Sequence, residues 1–206
     1  MNNFSKKIKF QYIIYCMCKS NNFYILFSLI ISQLVGCAPV AVVTAPVAYA
    51  DRRAAEIQYT DQKIEIKAIL ETQDIDADSN LSFLSYNQTV LLTGEARSQE
   101  IISKVEEKIK ALKEVKDVKN FIIIQSKNST LKSRGEDVLI TSNVKSRLFL
   151  KENKTKLFPM HVKVYTERQE VYLMGILNQK ESQIATQIAK SSKGVKKVIP
   201  LFEIIN

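Results

Sequence analysis

Apolar positions along this chain switch between two spacings, and the same succession of spacings occurs twice. In the first pass, Thr60-Asp61 is read as a helix cap, with Ile66, Ile69 and Leu70 following at helical spacing. The stretch 74–80 is polar and ends that pattern. Residues 81–86 read as a strand, Asn87-Gln88-Thr89 as a tight turn, and 90–93 as the returning strand. Gly94 closes it, at a place where a side chain would hinder a bend. Residues 98–113 predict an amphipathic helix with Ile101, Ile102, Val105, Ile109 and Leu112 on one face, and 118–124 predict a last strand. In the second pass, 136–150 is a helix, 161–165 a strand, and 166–170 a turn two residues longer than the first. Then come a returning strand over 171–175, a helix over 181–191 that ends at Gly194, and a last strand over 198–205. Pro200 places that last strand at an edge or a bulge.

The residues repeat along with the pattern. Val90-Leu91-Leu92-Thr93-Gly94 returns 81 positions later as Val171-Tyr172-Leu173-Met174-Gly175. Val115 and Val118 correspond to Val195 and Val198. Self-similarity at a fixed spacing means one structural unit used twice. The expected class is therefore α+β: two αββαβ domains over 60–125 and 136–206, joined by a polar, flexible linker over 126–135. Domains this small have thin cores and need outside support. No disulfide can provide it, because Cys16, Cys18 and Cys37 all precede the first copy. The two copies are expected to pack on each other.

The amino terminus reads as an address. Lys6, Lys7, Lys9 and Lys19 precede an apolar run from Phe23 to Ile31, and Leu34-Val35-Gly36-Cys37 follows. A positive flank, a short apolar core and small residues describe a secretory signal over 1–36. A membrane span needs about 20 apolar residues, and this run is shorter. Met17 with Lys19 would give a signal of more ordinary length, so translation is expected to begin there. Leu34-Val35-Gly36-Cys37 resembles the lipobox of bacterial lipoproteins, with Val35 where Ala or Ser is commoner. The resemblance implies lipidation of Cys37 through a thioether, cleavage before it, and acylation of the new amino terminus. Ala38 stands where an Asp would mark inner-membrane retention, which implies the outer membrane as the destination, with the protein on its periplasmic face. Residues 37–59 then form an Ala-, Val- and Pro-rich tether.

Charge divides the copies. Residues 60–128 carry 10 basic and 12 acidic residues, whereas 129–206 carry 14 basic and 7 acidic. This asymmetry suggests that the second copy faces an anionic partner. Catalytic chemistry is missing. His161 is the only histidine, on an expected strand, with no cysteine or second histidine to complete a metal cluster. No nucleophile motif and no glycine-rich phosphate loop occurs. Asp74, Asp76 and Asp78 lack the central Gly and terminal Glu of a calcium loop and read as a solvated turn. The clamp and aromatic signatures of RNA-binding modules are absent, so nucleic acid is not an expected partner. No enzyme activity, metal or cofactor is expected.

The αββαβ order, the Val-x-Leu-x-Gly of the second strand and the Gly-Val-x-x-Val before the last strand together resemble the BON domain. Copy two carries Val171, Leu173, Gly175, Gly194, Val195 and Val198. Copy one carries Val90, Leu92, Gly94, Val115 and Val118, with Glu114 where Gly is usual. Gln88 and Gln169 occupy turn positions where the family prefers Gly. For two BON copies behind a lipobox, the resemblance implies binding of anionic phospholipid through the second copy and a role in envelope integrity. The motif residues themselves are fold-forming, so no ligand site transfers from them.

The first helix of copy two adds its own evidence. Ile140, Val144 and Leu148 share one face at 100° per residue, as a core stripe should. Leu139, Phe149 and Leu150 fall on roughly the opposite side, around Ser142 and Ser146, with Lys145 and Arg147 flanking. Two readings of these surplus residues stand open: packing against copy one, or a lipid surface in which apolar tips enter the headgroup boundary and cations meet phosphates. The second reading names Leu139, Lys145, Arg147, Phe149 and Leu150 as candidates for binding phosphatidylglycerol or cardiolipin. A protein-interaction adaptor for an envelope assembly or peptidoglycan-remodelling machine is the alternative function.

Overall fold

The computed structural model describes residues 51–76, 79–125, 130–155 and 157–205. The leader, Cys37, the tether up to residue 50 and Asp78 lie outside them. Copy one comprises α1 (Ala55–Thr72), β1 (Asn80–Tyr86), β2 (Thr89–Ala96), α2 (Gln99–Lys110), β3 (Asp117–Asn120) and β4 (Ile123–Ile124). Copy two comprises α3 (Leu131–Thr155), β5 (Lys163–Glu167), β6 (Glu170–Asn178), α4 (Gln179–Lys190) and β7 (Lys197–Ile205). In each, an antiparallel hairpin (β1 with β2, β5 with β6) adds a parallel last strand beside its second member. The fold is α+β, as expected. β7 is an edge strand and accommodates Pro200.

Strand alternation divides the apolar residues between two faces. Val90 and Leu92 of β2 point to α1 and α2, where they meet Ile64, Ala68, Val105 and Ile109. Val164, Val171, Leu173 and Leu177 do the same beneath α3 and α4. The intervening residues build a third core between the sheets, from Tyr86 and Leu91 of copy one and Tyr172, Met174 and Ile199 of copy two. Phe121 sets its ring edge-on to Tyr172, with centroids 5.1 Å apart. The two copies thus pack sheet to sheet, each supplying the apolar cover the other's thin fold lacks. Polar contacts line the seam. Lys163 reaches Glu65 and the Ser85 carbonyl, each at 2.9 Å, and Arg168 donates to the Gly94 carbonyl at 3.1 Å.

Several elements differ from the sequence expectation. α1 begins at Ala55, so Thr60-Asp61 is not a cap. α1 turns Asp61, Ile64, Ala68 and Thr72 inward and leaves Ile66, Ile69 and Leu70 exposed. α3 begins at Leu131, inside the stretch expected to be a linker. His161 lies in a short 3-10 turn (Pro159–His161), and β5 begins only at Lys163. The second hairpin turn is not longer than the first. Glu167 pairs with Glu170 as Tyr86 pairs with Thr89, leaving two residues at each tip. Thr166 and Glu167 read as turn because they are polar, yet both are buried strand residues, Thr166 bonded to Thr141 of α3 at 2.8 Å and Glu167 at the domain seam.

Those tips are Asn87-Gln88 and Arg168-Gln169, all four with positive φ. Such a pair is the two-residue turn that matches strand twist, normally supplied by Asn-Gly. Here a buried aspartate on the first helix of each copy holds the turn. Asp61 accepts the amides of Asn87 and Gln88 at 2.8 and 2.7 Å, and also the Ser85 hydroxyl. Asp137 accepts the amides of Arg168 and Gln169 at 2.9 and 2.7 Å. The device is duplicated with the fold.

Gly94 has φ +112°, and a Cβ there would stand 1.9 Å from the Asn80 carbonyl oxygen. At Gly175, a Cβ would stand 2.3 Å from the His161 carbonyl oxygen. Both mark where the hairpin's second strand passes closely over the start of its first.

Candidate functional site

α3 has two apolar faces. Ile140, Val144 and Leu148 are buried in the core of copy two. Leu139, Phe149 and Leu150 are 70%, 56% and 78% exposed, and Leu131 and Val138 join them on the outward side. Ser142 and Ser146 are exposed between them. Leu139 and Leu150 therefore do not pack on copy one, while Phe149 edges a groove shared with Arg53 and Tyr86.

The candidate cations separate. Lys145 is exposed. With Phe149 it lines a groove of about 250 Å³ that also receives Arg53, Met160 and Lys163. Arg147 is placed elsewhere. Its guanidinium donates to the Ile188 carbonyl at 3.2 Å and to the hydroxyls of Ser192 and Ser191 at 2.8 and 2.9 Å. These contacts lie at the C-terminal end of α4, where a cation complements the helix dipole. Arg147 thus joins α3 to α4 beside the core. Lys132 and Arg134, which sequence reasoning passed over, are exposed near the start of α3.

The fold-motif residues lie in structural positions. Val90, Leu92, Val171 and Leu173 are fully buried, and Val195 packs at the margin of the copy-two core. Gly194 has φ +88°, and a Cβ there would press to 3.0 Å from the Ile140 side chain. Its counterpart Glu114 has an ordinary φ. It receives Lys63 at 3.1 Å and Lys67 at 2.8 Å, and these lysines hold its carboxyl down to about 2.

A second feature escaped the sequence reading, which took residues 37–59 as tether throughout. Arg52 forms a two-pronged ion pair with Glu181, at 2.7 and 2.8 Å, and donates to the Ile176 carbonyl at 2.7 Å. Burial alone would raise the Glu181 carboxyl, but Arg52 and the Asn178 amide hold it below its ordinary value. Arg53 pairs with Asp61 at 2.7 Å and lies 4.0 Å over the Tyr86 ring. Burial and the nearby Asp51 carboxylate push the Tyr86 phenol up to about 12, so it stays neutral. Asp51, Arg52 and Arg53 strap the start of the described chain to both copies. An arginine pair opening a helix gives no such signal in sequence.

Among the described residues, no helix is long and apolar enough to cross a membrane, and no group of three His, Cys, Asp or Glu residues could hold a metal ion. The site's resources are apolar surface and positive charge, which suit binding.

The BON domain family model matches residues 60–126 and 136–206. The chain belongs to the BON domain family, and it stands with the dual-BON outer-membrane lipoproteins. It is similar to outer membrane lipoprotein DolP of Haemophilus influenzae, with 31% identity over 180 residues, covering 84% of this chain and 91% of that protein. A 21 kDa hemolysin of Actinobacillus pleuropneumoniae is 27% identical over 158 residues, covering 75% of this chain and 79% of that one. Among solved structures, CdsD, a structural protein of the type III secretion system of Chlamydia trachomatis, matches 68% of this chain and 92% of its own, with a TM-score of 0.26 and 14% identity.

Proposed function

We propose that this protein is anchored through acyl chains on Cys37 to the periplasmic face of the outer membrane and maintains envelope integrity by binding anionic phospholipid through α3 of its second domain. The observation that carries the reading is the outward face of α3, where Leu139, Phe149 and Leu150 are exposed and Lys145 stands beside them. Apolar side chains of this kind enter the headgroup boundary, and each cation near an anionic surface contributes about 1 kcal/mol. Few cations give transient binding. Transient binding suffices once a lipid anchor confines the molecule to the surface, because the second contact then becomes intramolecular. Arg147 takes no direct part in this reading, since its guanidinium is held by α4. Lys132, exposed and in line with Leu139, takes its place.

The test is co-sedimentation of residues 46–206, a compact unit that contains all three apolar cores, with vesicles of defined composition. Phosphatidylglycerol vesicles are expected to retain the protein, phosphatidylcholine vesicles to release it, and salt to weaken retention. Leu139→Glu and Phe149→Glu should each abolish retention while leaving the melting temperature unchanged. Equal retention on neutral and anionic vesicles, or undiminished binding by both variants, would refute the reading.

A further inference from the structure

β7 ends the sheet of copy two, and among the described residues no strand pairs with its outer edge. Grooves open on both sides of this strand. On the helix side, about 550 Å³ lies between Gln183, Gln187 and Lys190 of α4 and Pro200, Phe202 and Ile204 of β7. On the seam side, about 370 Å³ lies between Thr89 and Lys119 of copy one and Leu201 and Glu203 of β7. The free edge thus forms the floor of a cleft walled by α4 and by copy one.

The α4 wall carries uncommitted donors and acceptors. Gln179, Gln183 and Gln187 recur every fourth residue, all exposed, and their side-chain amides bond nothing among the described residues. One end of the cleft is positive. Lys190, Lys193 and Lys196 are exposed and join no ion pair among the described residues, and Lys197 approaches Glu170 only to 3.8 Å. The other end carries Glu203, which holds Asn87 of copy one, and the exposed Ile204 and Ile205.

A chain in extended form fits such an edge, because it offers backbone donors and acceptors at the spacing of a strand. Antiparallel pairing is the firmer of the two arrangements, and it brings the segment's carboxyl end to the lysines. Lysines and a proline guard an edge against indiscriminate pairing, and Pro200 offers a carbonyl but no N–H. The run from Leu201 to Ile205 beyond it is unbroken, and the same lysines favour a segment that carries carboxylates at that end.

We propose that β7 is a docking edge for an extended segment of another protein. The segment adds antiparallel as a fourth strand of the copy-two sheet, with apolar side chains over Phe202 and Ile204 and acidic residues at its carboxyl end. The outward face of α3 takes no part, so the proposal stands independently of the lipid reading.

A labelled probe of about eight residues, alternating Val and Thr and ending in two glutamates, tests it by fluorescence anisotropy with residues 46–206. The expected Kd is on the order of 100 µM. Replacing the probe's glutamates by lysines should weaken binding at least about tenfold, and so should methylating every second backbone nitrogen. Lys193→Glu combined with Lys196→Glu should do the same from the protein's side, with an unchanged melting temperature. Hydrogen exchange at the β7 amides should slow when the probe is bound. No saturable binding, equal binding of the methylated probe, or protection confined to other elements would overturn the proposal. Protection of β7 that rises with protein concentration alone would overturn it too, and would assign the edge to a second copy of this chain.

Discussion

Replacing Asp137 by Ala removes the acceptor that holds the second hairpin tip. The carboxylate is buried and takes the amides of Arg168 and Gln169 at 2.9 and 2.7 Å. A hydrogen bond to a charged group contributes about 1.5–3 kcal/mol, so two set the scale. The tip also holds two non-glycine residues at positive φ, and a left-handed residue costs about 1–2 kcal/mol that the turn regains if it relaxes. That relaxation returns part of the loss. The net expectation is a destabilisation of about 2–4 kcal/mol, or roughly 10 °C in melting temperature for a unit of this size. Asp137→Asn keeps one acceptor oxygen but turns an NH₂ group toward the other amide, so it should lose about half as much. Urea unfolding followed by circular dichroism at neutral pH measures both. If the alanine variant stays within about 1 kcal/mol of wild type, or the asparagine variant is as unstable as it, the aspartate does not hold the turn in the way argued. Asp61→Ala should be the more harmful of the two alanine variants, because Asp61 also takes Ser85 and Arg53.

Glu167 is buried at the domain seam, and burial, with Glu95 and Asp137 nearby, raises its carboxyl above the ordinary value despite the Tyr165 hydroxyl and Arg168. The folded state therefore favours the protonated acid, and that contribution is present in acid and lost as pH rises through the raised value. Glu167→Gln should raise the melting temperature near neutral pH and confer no gain in acid, and a pH-independent difference would refute this. Arg52→Ala breaks the two-pronged pair with Glu181, and the arginine is about one-quarter exposed. A loss of about 1–2 kcal/mol is expected, after discounting for solvent screening. Protease sensitivity near residue 52 should rise in parallel; an unchanged cleavage rate would show that the strap is not held. Gly94→Ala forces a Cβ against the Asn80 carbonyl and should cost about 3 kcal/mol or more, measured by thermal melting.

How much of this was legible in sequence depends on what each residue faces. The strands were readable because β2 and β6 alternate between two dry faces, and α2 was readable because Ile102, Val105 and Ile109 share one. α1 was readable as a helix but not in orientation. Its core side uses Ile64 and the small Ala68, while larger apolar residues face outward, so the apolar pattern points both ways. The copy-two turn was misread because buried polar strand residues look like loop. The aspartate clamps were invisible because their partners are backbone amides distant in sequence. On α3, the surplus apolar face was visible as a conflict with the core stripe. The fate of Arg147 was not, because it depends on where the end of α4 lies.

The two copies solve one junction differently, and the difference accounts for where the free positive charge sits. In copy two, Gly194 lets the loop after α4 approach Ile140, and no ion pair is needed. In copy one, Glu114 occupies the equivalent place and holds Lys63 and Lys67, the two lysines of α1. Those cations flank an exposed apolar line resembling that of α3, yet a single carboxylate holds both and offsets one of their two charges. Glu114→Gln should release them without altering the backbone, which has ordinary φ there. The substitution adds one net positive charge, and at about 1 kcal/mol per charge near an anionic surface that corresponds to roughly a five-fold gain in affinity. In a Leu139→Glu background, where α3 is disabled, the added substitution should therefore confer binding to phosphatidylglycerol vesicles that salt reverses. If retention stays at the level of Leu139→Glu alone, free cations beside an exposed apolar helix face are not sufficient for the bilayer contact. The shape of α3 itself would then have to carry it.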